Sequence, residues 1–212
     1  MLCGACCAGD SELVVQNDNG SKIAMTPMVA AMSAGPGDER FVMTLKGVDA
    51  LKTLDLDLSD NKCVIFANCD GAVAEWNKHS LTQVFPFDRI IEINGQPCVA
   101  TDLVEKSKSE DVGTVNLTIE KPQKRLLYLQ KPGRLGMDLT YTKTRKGSVK
   151  PWITSISEGL VAQWNTNMPE LSVGPHDRII TVNGSGGTPS DLVQLLSSSE
   201  ETLQLEVLHY NI

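Results

Sequence analysis

The chain has 212 residues, of which 41% are hydrophobic and 21% are charged, a balance typical of soluble globular proteins. Its formal net charge of −7 disfavours nucleic acid as a partner. No apolar run reaches the roughly 18 residues that a membrane span needs, and the N-terminus lacks the features of a secretory signal. We therefore expect the six cysteines to lie in a reducing compartment and not to form disulfides.

The N-terminus carries three of the six cysteines, Cys3, Cys6 and Cys7. This grouping resembles the palmitoylated N-termini of peripheral membrane proteins, although Leu2 stands where N-myristoylation needs Gly. Two or three acyl chains would anchor a protein stably, whereas one would not. The alternatives are a metal or redox site with further ligands, or unmodified thiols. We expect lipidation at these three cysteines.

The rest of residues 1–39 is predicted to be an extension or linker. Met25, Met28 and Met32 recur at helical spacing on one face. Flexible methionine side chains suit adaptable docking, either onto the following domain or onto a partner.

Residues 40–122, the first unit, contain four predicted strands, at 40–46, 63–69, 89–93 and 115–120. A short helix is predicted at 71–77, and a longer one follows the tight turn at Asn94-Gly95. A linker of five residues, 121–125, then leads to the second unit.

Residues 123–212, the second unit, repeat this order. Strands are predicted at 125–130, 136–142, 152–156, 178–182 and 203–208, and a short helix at 159–165. After the turn at Asn183-Gly184, Thr188 and Asp191 form a helix-capping pattern ahead of an apolar face with Leu192 and Leu195.

The two units share a doubled motif. DRIIEING at 88–95 returns as DRIITVNG at 177–184, and GAVAEWN at 71–77 returns as GLVAQWN at 159–165. We therefore predict two α+β domains, each a small β-barrel or sandwich of five to six strands and two helices. Trp76 and Trp164 hold equivalent positions, where we expect each to pack on its own core.

These motifs resemble the PDZ domain, a peptide-binding module whose GDRILxVNG motif DRIITVNG closely matches. The resemblance covers residues 40–122 and 123–212, about four fifths of the chain. The Val-Ala-x-Trp-Asn variant is similar to PDZ-type repeats of algal and other protist proteins. The resemblance implies that a peptide C-terminus lies as an added strand between the second strand and the second helix, with its carboxylate on the N–H groups of a GLGF loop.

In the second unit this loop resembles the sequence at 134–137, in which Gly136 keeps the key glycine. Lys131 or Arg134 can neutralise a bound carboxylate. The resemblance implies an apolar pocket for the last ligand side chain, formed by Leu135, Met137, Leu139, Val193 and Leu196.

The first unit departs from the pattern, because alignment puts Asp55 at the position of Gly136 and Ser107 at that of Leu196. A carboxylate there repels a carboxylate ligand, so we expect poor binding of C-terminal peptides. This unit then binds an internal segment, packs on its twin or holds another partner. The helix positions that often carry a ligand-reading His are Ala100 and Pro189, so we expect an apolar ligand residue there.

No catalytic pattern is evident. His79, His176 and His209 lack metal-ligand spacing and a nucleophile motif, and the glycines at 184–187 lack the Lys-Ser/Thr of a phosphate loop. We expect no catalytic residue, metal or cofactor. The basic residues at 143–150 are expected to form a solvated loop or to contact an acidic partner or anionic lipid.

The sequence therefore predicts a non-enzymatic adaptor or scaffold that binds C-terminal or extended peptides of partner proteins. It would act in the cytoplasm or at the stromal face of an organelle, tethered to a membrane through its acylated N-terminus. The alternative is a permanent peripheral structural subunit of a larger membrane complex, such as an algal photosystem. A protease regulator is disfavoured because the chain carries no protease domain.

Overall fold

The computed structural model describes residues 14–16, 22–24, 39–108, 113–141, 149–198 and 201–212. The chain divides into two compact parts, 1–33 and 34–212. In the first part, strands β1 (Val14–Gln16) and β2 (Lys22–Ala24) pair in antiparallel fashion. The predictions for the N-terminal cysteines, for Met25, Met28 and Met32, and for the basic residues at 143–146 lie outside the described residues.

The first unit forms a six-stranded sheet. Its elements in chain order are β3 (Arg40–Lys46), α1 (Val48–Lys52), β4 (Leu56–Asp57), β5 (Ile65–Phe66), α2 (Ala72–His79), β6 (Arg89–Ile93), β7 (Gln96–Pro97), α3 (Ala100–Lys108) and β8 (Thr114–Glu120). The strand order is β3-β8-β6-β5-β4, and β7 pairs with β6. Every pairing is antiparallel.

The second unit forms a five-stranded antiparallel sheet. Its elements are β9 (Gln123–Gln130), β10 (Met137–Thr140), β11 (Trp152–Ile156), α4 (Leu160–Asn167), a 3-10 helix (Pro169–Leu171), β12 (Arg178–Val182), α5 (Pro189–Leu196) and β13 (Thr202–His209). The strand order is β10-β11-β12-β13-β9. Strand β10 therefore stands at one edge and β9 at the other.

The predicted α+β class with two sheets is confirmed, with three corrections. The described sheets are open, with β4 and β3 at the edges of the first, so they are not closed barrels. The first unit has a third helix, α1, in the connection before β4. The linker is shorter than predicted, because β8 ends at Glu120 and β9 begins at Gln123.

The strand predicted at 63–69 is paired only at Ile65–Phe66. Its apolar residues are buried on both sides, Val64 and Phe66 in the main core of the unit and Cys63 and Ile65 in a second cluster. Beyond β5, the N–H of Ala67 donates to Asp55 O at 2.8 Å, which ends the regular pairing. The run at 63–69 is therefore apolar because its side chains are buried on both sides, and not because all of it is a strand.

The turns and the cap have the predicted geometry. Both Asn-Gly turns have positive φ, 52° and 75° at Asn94-Gly95 and 51° and 72° at Asn183-Gly184. Helix α5 begins with a capping box, in which the Thr188 hydroxyl accepts from the N–H of Asp191 and the Asp191 carboxylate accepts from the N–H of Thr188.

The repeated Trp-Asn pair ties each short helix to the loop that follows it. The indole N–H of Trp76 donates to Thr82 O, and that of Trp164 to Leu171 O, both at 3.1 Å. The side chain of Asn77 bonds both backbone groups of Val84, and Asn165 bonds both of Val173. Each tryptophan packs against the core of its own unit, as expected.

Candidate functional site

The predicted groove of the second unit lies at the edge of its sheet. Strand β10 pairs with β11 on one side, and no other strand of the described sheet covers its second side. Leu135, Met137 and Leu139 are half-buried and pack on the same apolar cluster that contains Leu192 and Leu196 of α5. The strand edge and the helix therefore meet over one apolar floor.

The loop before β10 depends on Gly136, whose φ is +71°. A Cβ at this position would lie 2.7 Å from the carbonyl oxygens of Ser157 and Glu158, so the site excludes any side chain. This backbone conformation therefore requires glycine at position 136.

The carbonyl groups of this loop face the start of α4 and the residues just before it. The N–H of Leu160 donates to Arg134 O at 2.9 Å, that of Val161 to Leu135 O at 3.0 Å, and that of Ser157 to Gly136 O at 2.8 Å. Among the described residues, by contrast, no hydrogen bond uses the N–H of Leu135 or of Gly136. The loop thus presents two adjacent donors that the described part of the chain leaves unused.

The two basic residues predicted beside this loop differ in their surroundings. The Lys131 ammonium donates to Leu196 O at 3.3 Å and also to Ser198 O, so it satisfies carbonyl groups at the C-terminal end of α5. Arg134 is exposed. The guanidinium of Arg134 is therefore the better placed of the two to meet a ligand carboxylate.

The remaining predicted residues of the groove belong to α5. Val193 is half-buried, whereas Leu196 is buried in the core and contributes to the floor. The helix begins at Pro189, which is itself buried. The side of α5 that flanks the groove is thus apolar at its first, fifth and eighth positions.

The first unit has the same framework with a different loop. The N–H of Ala67 donates to Asp55 O just as that of Ser157 donates to Gly136 O, which places Asp55 at the position of Gly136. Asp55 does not share the positive φ of Gly136. Its carboxylate accepts from the Asn68 amide at 2.7 Å, and α1 packs against α3 near this loop.

A shallow groove does remain between α3 and the loop after β4. Val104, at the position equivalent to Val193, is partly exposed there. The groove mixes apolar and charged side chains and is lined by Leu58, Asn61, Ala100, Thr101, Val104, Glu105 and Lys108. It lacks the continuous apolar floor of the second unit.

Two carboxylates end the edge strand of the first unit. Asp57 Oδ1 accepts from the N–H of Ser59 at 2.9 Å, and Asp60 Oδ1 accepts from that of Lys62 at 3.0 Å. These local bonds turn the chain away from the sheet after only two paired residues. The edge that binds ligand in the PDZ resemblance is therefore almost absent here.

The outer oxygens of the same carboxylates contact the second unit. Arg178 Nη1 lies 2.8 Å from Asp57 Oδ2, in ionic contact without hydrogen-bond alignment, and His176 Nδ1 lies 2.7 Å from Asp60 Oδ2. The Arg178 side chain is fully buried, and those of Asp57 and Asp60 are each 3% exposed. The two units are thus joined by a buried charged interface.

The first copy of the doubled motif, in the first unit, in turn contacts the second unit. Arg89 Nη1 donates to Asn211 O at 2.8 Å, and the hydroxyl of Tyr210 donates to Phe87 O at 3.0 Å. Tyr210 packs with Cys63 and Ile65 of the first unit. This use of the motif was not predicted from the sequence, where the Asp-Arg pair shared by both copies is the available signal.

The titratable groups at this interface are not set up for nucleophilic chemistry. Burial raises the pKa of the Cys63 thiol to about 12 although Arg178 and Arg89 oppose the shift, so this thiol is neutral. Burial also raises the pKa of the Tyr210 hydroxyl well above its usual value. Within the described residues, no group of His, Cys, Asp and Glu side chains is arranged to hold a metal ion.

Comparison with known proteins gives distant structural similarity only. No family model matches the chain, and no curated protein sequence matches it. A solved complex of INAD PDZ45 with NORPA CC-PBM is 17% identical, with 84% of this chain and 95% of that chain covered at a TM-score of 0.36. INAD PDZ45 in complex with an NG2 peptide is 14% identical, with 86% and 95% covered at 0.35. Similarity of this degree is too low to assign a family.

Among the described residues, every helix is too short or too polar to span a bilayer.

Proposed function

We propose that this chain is a non-enzymatic protein-interaction adaptor built from two PDZ-like units, and that the second unit binds the C-terminus of a partner protein. The observation that carries the proposal is the loop before β10, where Gly136 has a positive φ and two neighbouring N–H groups are unused among the described residues. Adjacent backbone donors of this kind suit a carboxylate.

The partner would bind as an added strand. The free side of β10 offers backbone groups for main-chain hydrogen bonds, so a peptide running along it extends the sheet. Its terminal carboxylate would accept from the N–H groups of Leu135 and Gly136, with Arg134 supplying positive charge. Its last side chain would contact Leu135, Met137, Leu139, Val193 and Leu196.

The ligand residue two before the terminus is expected to be apolar. It would face the start of α5, where Pro189 has no side-chain donor or acceptor and no backbone N–H. The first unit is not expected to bind C-termini, because Asp55 replaces Gly136 and α1 packs beside the loop.

The proposal is tested with short fluorescein-labelled peptides that have apolar residues at the last and third-from-last positions. Each peptide is made with a free C-terminal carboxylate and as the C-terminal amide, and binding is measured by fluorescence anisotropy. The carboxylate form should bind with micromolar affinity and the amide should bind at least about tenfold more weakly. Equal affinity for the two forms would contradict carboxylate recognition.

A pair of matched variants locates the site. Val193→Glu puts a charge in the groove of the second unit at a half-buried position, so it should weaken binding by at least about tenfold. Val104→Glu makes the same change at the equivalent position of the first unit and should leave the affinity unchanged. The reverse pattern would assign binding to the first unit.

The location of the protein belongs to the same proposal. Acylation of Cys3, Cys6 and Cys7 would hold the adaptor at a membrane facing the cytoplasm or an organellar stroma. Mass spectrometry of the purified protein should find lipid on these cysteines, and a triple Cys→Ser variant should leave the membrane fraction. Unmodified thiols would overturn the proposal that acylation tethers the protein to a membrane.

Stoichiometric co-purification with a larger membrane complex, without peptide binding, would support the structural-subunit alternative.

A further inference from the structure

We infer that the first unit holds the peptide-accepting edge of the second unit in place, with Asp57 and Asp60 as positioning residues that act through Arg178, His176 and Trp152. The inference deepens the proposed function, since it concerns the same groove. It also explains why the first unit has a truncated edge strand: the residues that end that strand are the residues that contact the second unit.

Strands β10 and β11 are joined to the rest of their sheet by a short attachment. Strand β10 is paired along its length to β11, but β11 is paired to β12 at one position only, Trp152 with Arg178. The adjacent backbone bonds run from Ile153 N to Asp177 O at 2.8 Å, from His176 N to Ile153 O at 2.7 Å, and from Ile179 N to Pro151 O at 3.0 Å. The β10–β11 hairpin is therefore attached to the rest of the sheet through residues 151–153 and 176–179.

The first unit contacts this same short attachment. Asp60 bonds His176, whose imidazole stacks on the indole of Trp152 with ring centres 5.9 Å apart and 13° between the planes. Trp152 pairs with Thr140 of the edge strand on its other side. A continuous set of contacts thus connects Asp60 to the edge strand through two side chains.

The second contact is the buried ion pair. Arg178 is enclosed completely, and among the described residues its Nη1 contacts the carboxylate of Asp57 and the carbonyl of Lys150, the latter at 3.2 Å. Its Nε and Nη2 have no hydrogen-bond partner among the described residues, and neither has the indole N–H of Trp152. Without Asp57 this guanidinium would be a buried charge with one carbonyl partner, so it would move toward water and displace the strand start that it shares with Trp152.

Hydrogen exchange on the full-length chain tests the inference without any ligand. Asp60→Ala should raise the exchange rates of the amides at 137–140 and 152–156 by about tenfold or more, because opening of the hairpin becomes more frequent. Exchange at 126–130 and 202–205 should be unchanged, since these parts of β9 and β13 pair with each other away from Arg178 and His176. Asp60→Asn keeps an acceptor of the same shape and should give a smaller increase.

The control is Glu75→Ala, which removes an exposed carboxylate whose ion pairs with described residues, Lys78 and His79, lie within the first unit. It should leave exchange at 137–140 unchanged. If Asp60→Ala exposes every strand of the second unit to exchange, the comparison rests on Asp60→Asn and on Asp57→Asn. Unchanged rates at 137–140 in all three variants would overturn the inference.

Peptide binding provides the functional measurement. With the carboxylate peptide described above, Asp60→Ala should weaken binding by about tenfold, chiefly through faster dissociation, while Glu75→Ala should not change it. If the wild-type chain binds no peptide, the proposed function fails, and the exchange experiment still decides whether the first unit supports the edge strand. Faster exchange at 137–140 with unchanged peptide affinity would show that the first unit stabilises β10. It would overturn the role of Asp60 in positioning β10 for peptide binding.

Discussion

At the residue scale, the aspartate of the doubled motif accepts the same local backbone hydrogen bond in both units, but the charged and polar groups around it differ. Asp88 accepts from the N–H of Phe85 at 2.9 Å, and Asp177 accepts from that of Gly174 at 2.8 Å. Asp177 also binds Tyr210 N and His209, whereas the nearest cation to Asp88 is Lys121 at 3.6 Å. Burial raises the pKa of Asp88 to about 6 despite the opposing effects of the Phe85 N–H and of Lys121.

This setting predicts a pH-dependent effect of Asp88→Asn. The folded pKa of about 6 lies above the ordinary value of 3.8, so the folded state binds the proton more tightly than the unfolded state does. The contribution of Asp88 to stability is therefore full below about pH 4 and is lost as the pH rises to about 6, by about 3 kcal/mol in total. Urea unfolding at pH 4 and pH 7 should show the free energy of unfolding of Asp88→Asn rising relative to wild type by up to that amount. A difference between the two proteins that does not change with pH would contradict the assigned burial.

At the scale of elements, the sequence predicted what local physics determines. The strands β6, β11 and β12 have the predicted boundaries, because turn residues bound them and their pairing fits the local pattern. The backbone of Gly136 was also predictable, since few other residues adopt its φ. The shortness of β4 was not, because the carboxylates that end it, Asp57 and Asp60, are buried against the other unit, which is remote in sequence. The end of β5 follows from the bond between the Ala67 N–H and Asp55 O, which no local pattern indicates.

The capping box of α5 gives a prediction for the helix that flanks the groove. Thr188→Val keeps the side-chain volume and removes the hydroxyl that accepts from the Asp191 N–H, so it should lower the free energy of unfolding by about 1 kcal/mol. Ser190→Ala, at an exposed position in the first turn of the same helix, should change it by no more than about 0.5 kcal/mol. Chemical denaturation of both variants measures the difference, and equal values would mean that the cap does not stabilise α5.

At the scale of the whole molecule, the doubled motif both builds each unit and joins the two. Its arginines reach across in opposite directions, Arg178 to Asp57 and Arg89 to Asn211 O. The residue before the motif, Phe87 or His176, also contacts the other unit in each copy. Two sheets that share a buried polar interface and an apolar cluster around Tyr210 should behave as one cooperative structure.

Cooperative unfolding is the expected result for the wild-type chain. Pulse hydrogen exchange along a urea titration follows the two units separately, through β3 and β8 of the first and β9 and β13 of the second, and leaves Trp152 in place. The urea transitions of the two units should coincide, because neither unit unfolds without exposing the shared interface.

Arg178→Ala leaves the Asp57 carboxylate buried without its partner, so it should lower the free energy of unfolding by about 3–5 kcal/mol and separate the two transitions. Replacing the pair together, as Asp57→Leu with Arg178→Met, removes both charges and should recover much of the loss, as apolar replacements of buried ion pairs do. Transitions that are already separate in the wild type would show that the two units are only tethered, and Arg178→Ala would then leave the midpoint of the first unit unchanged.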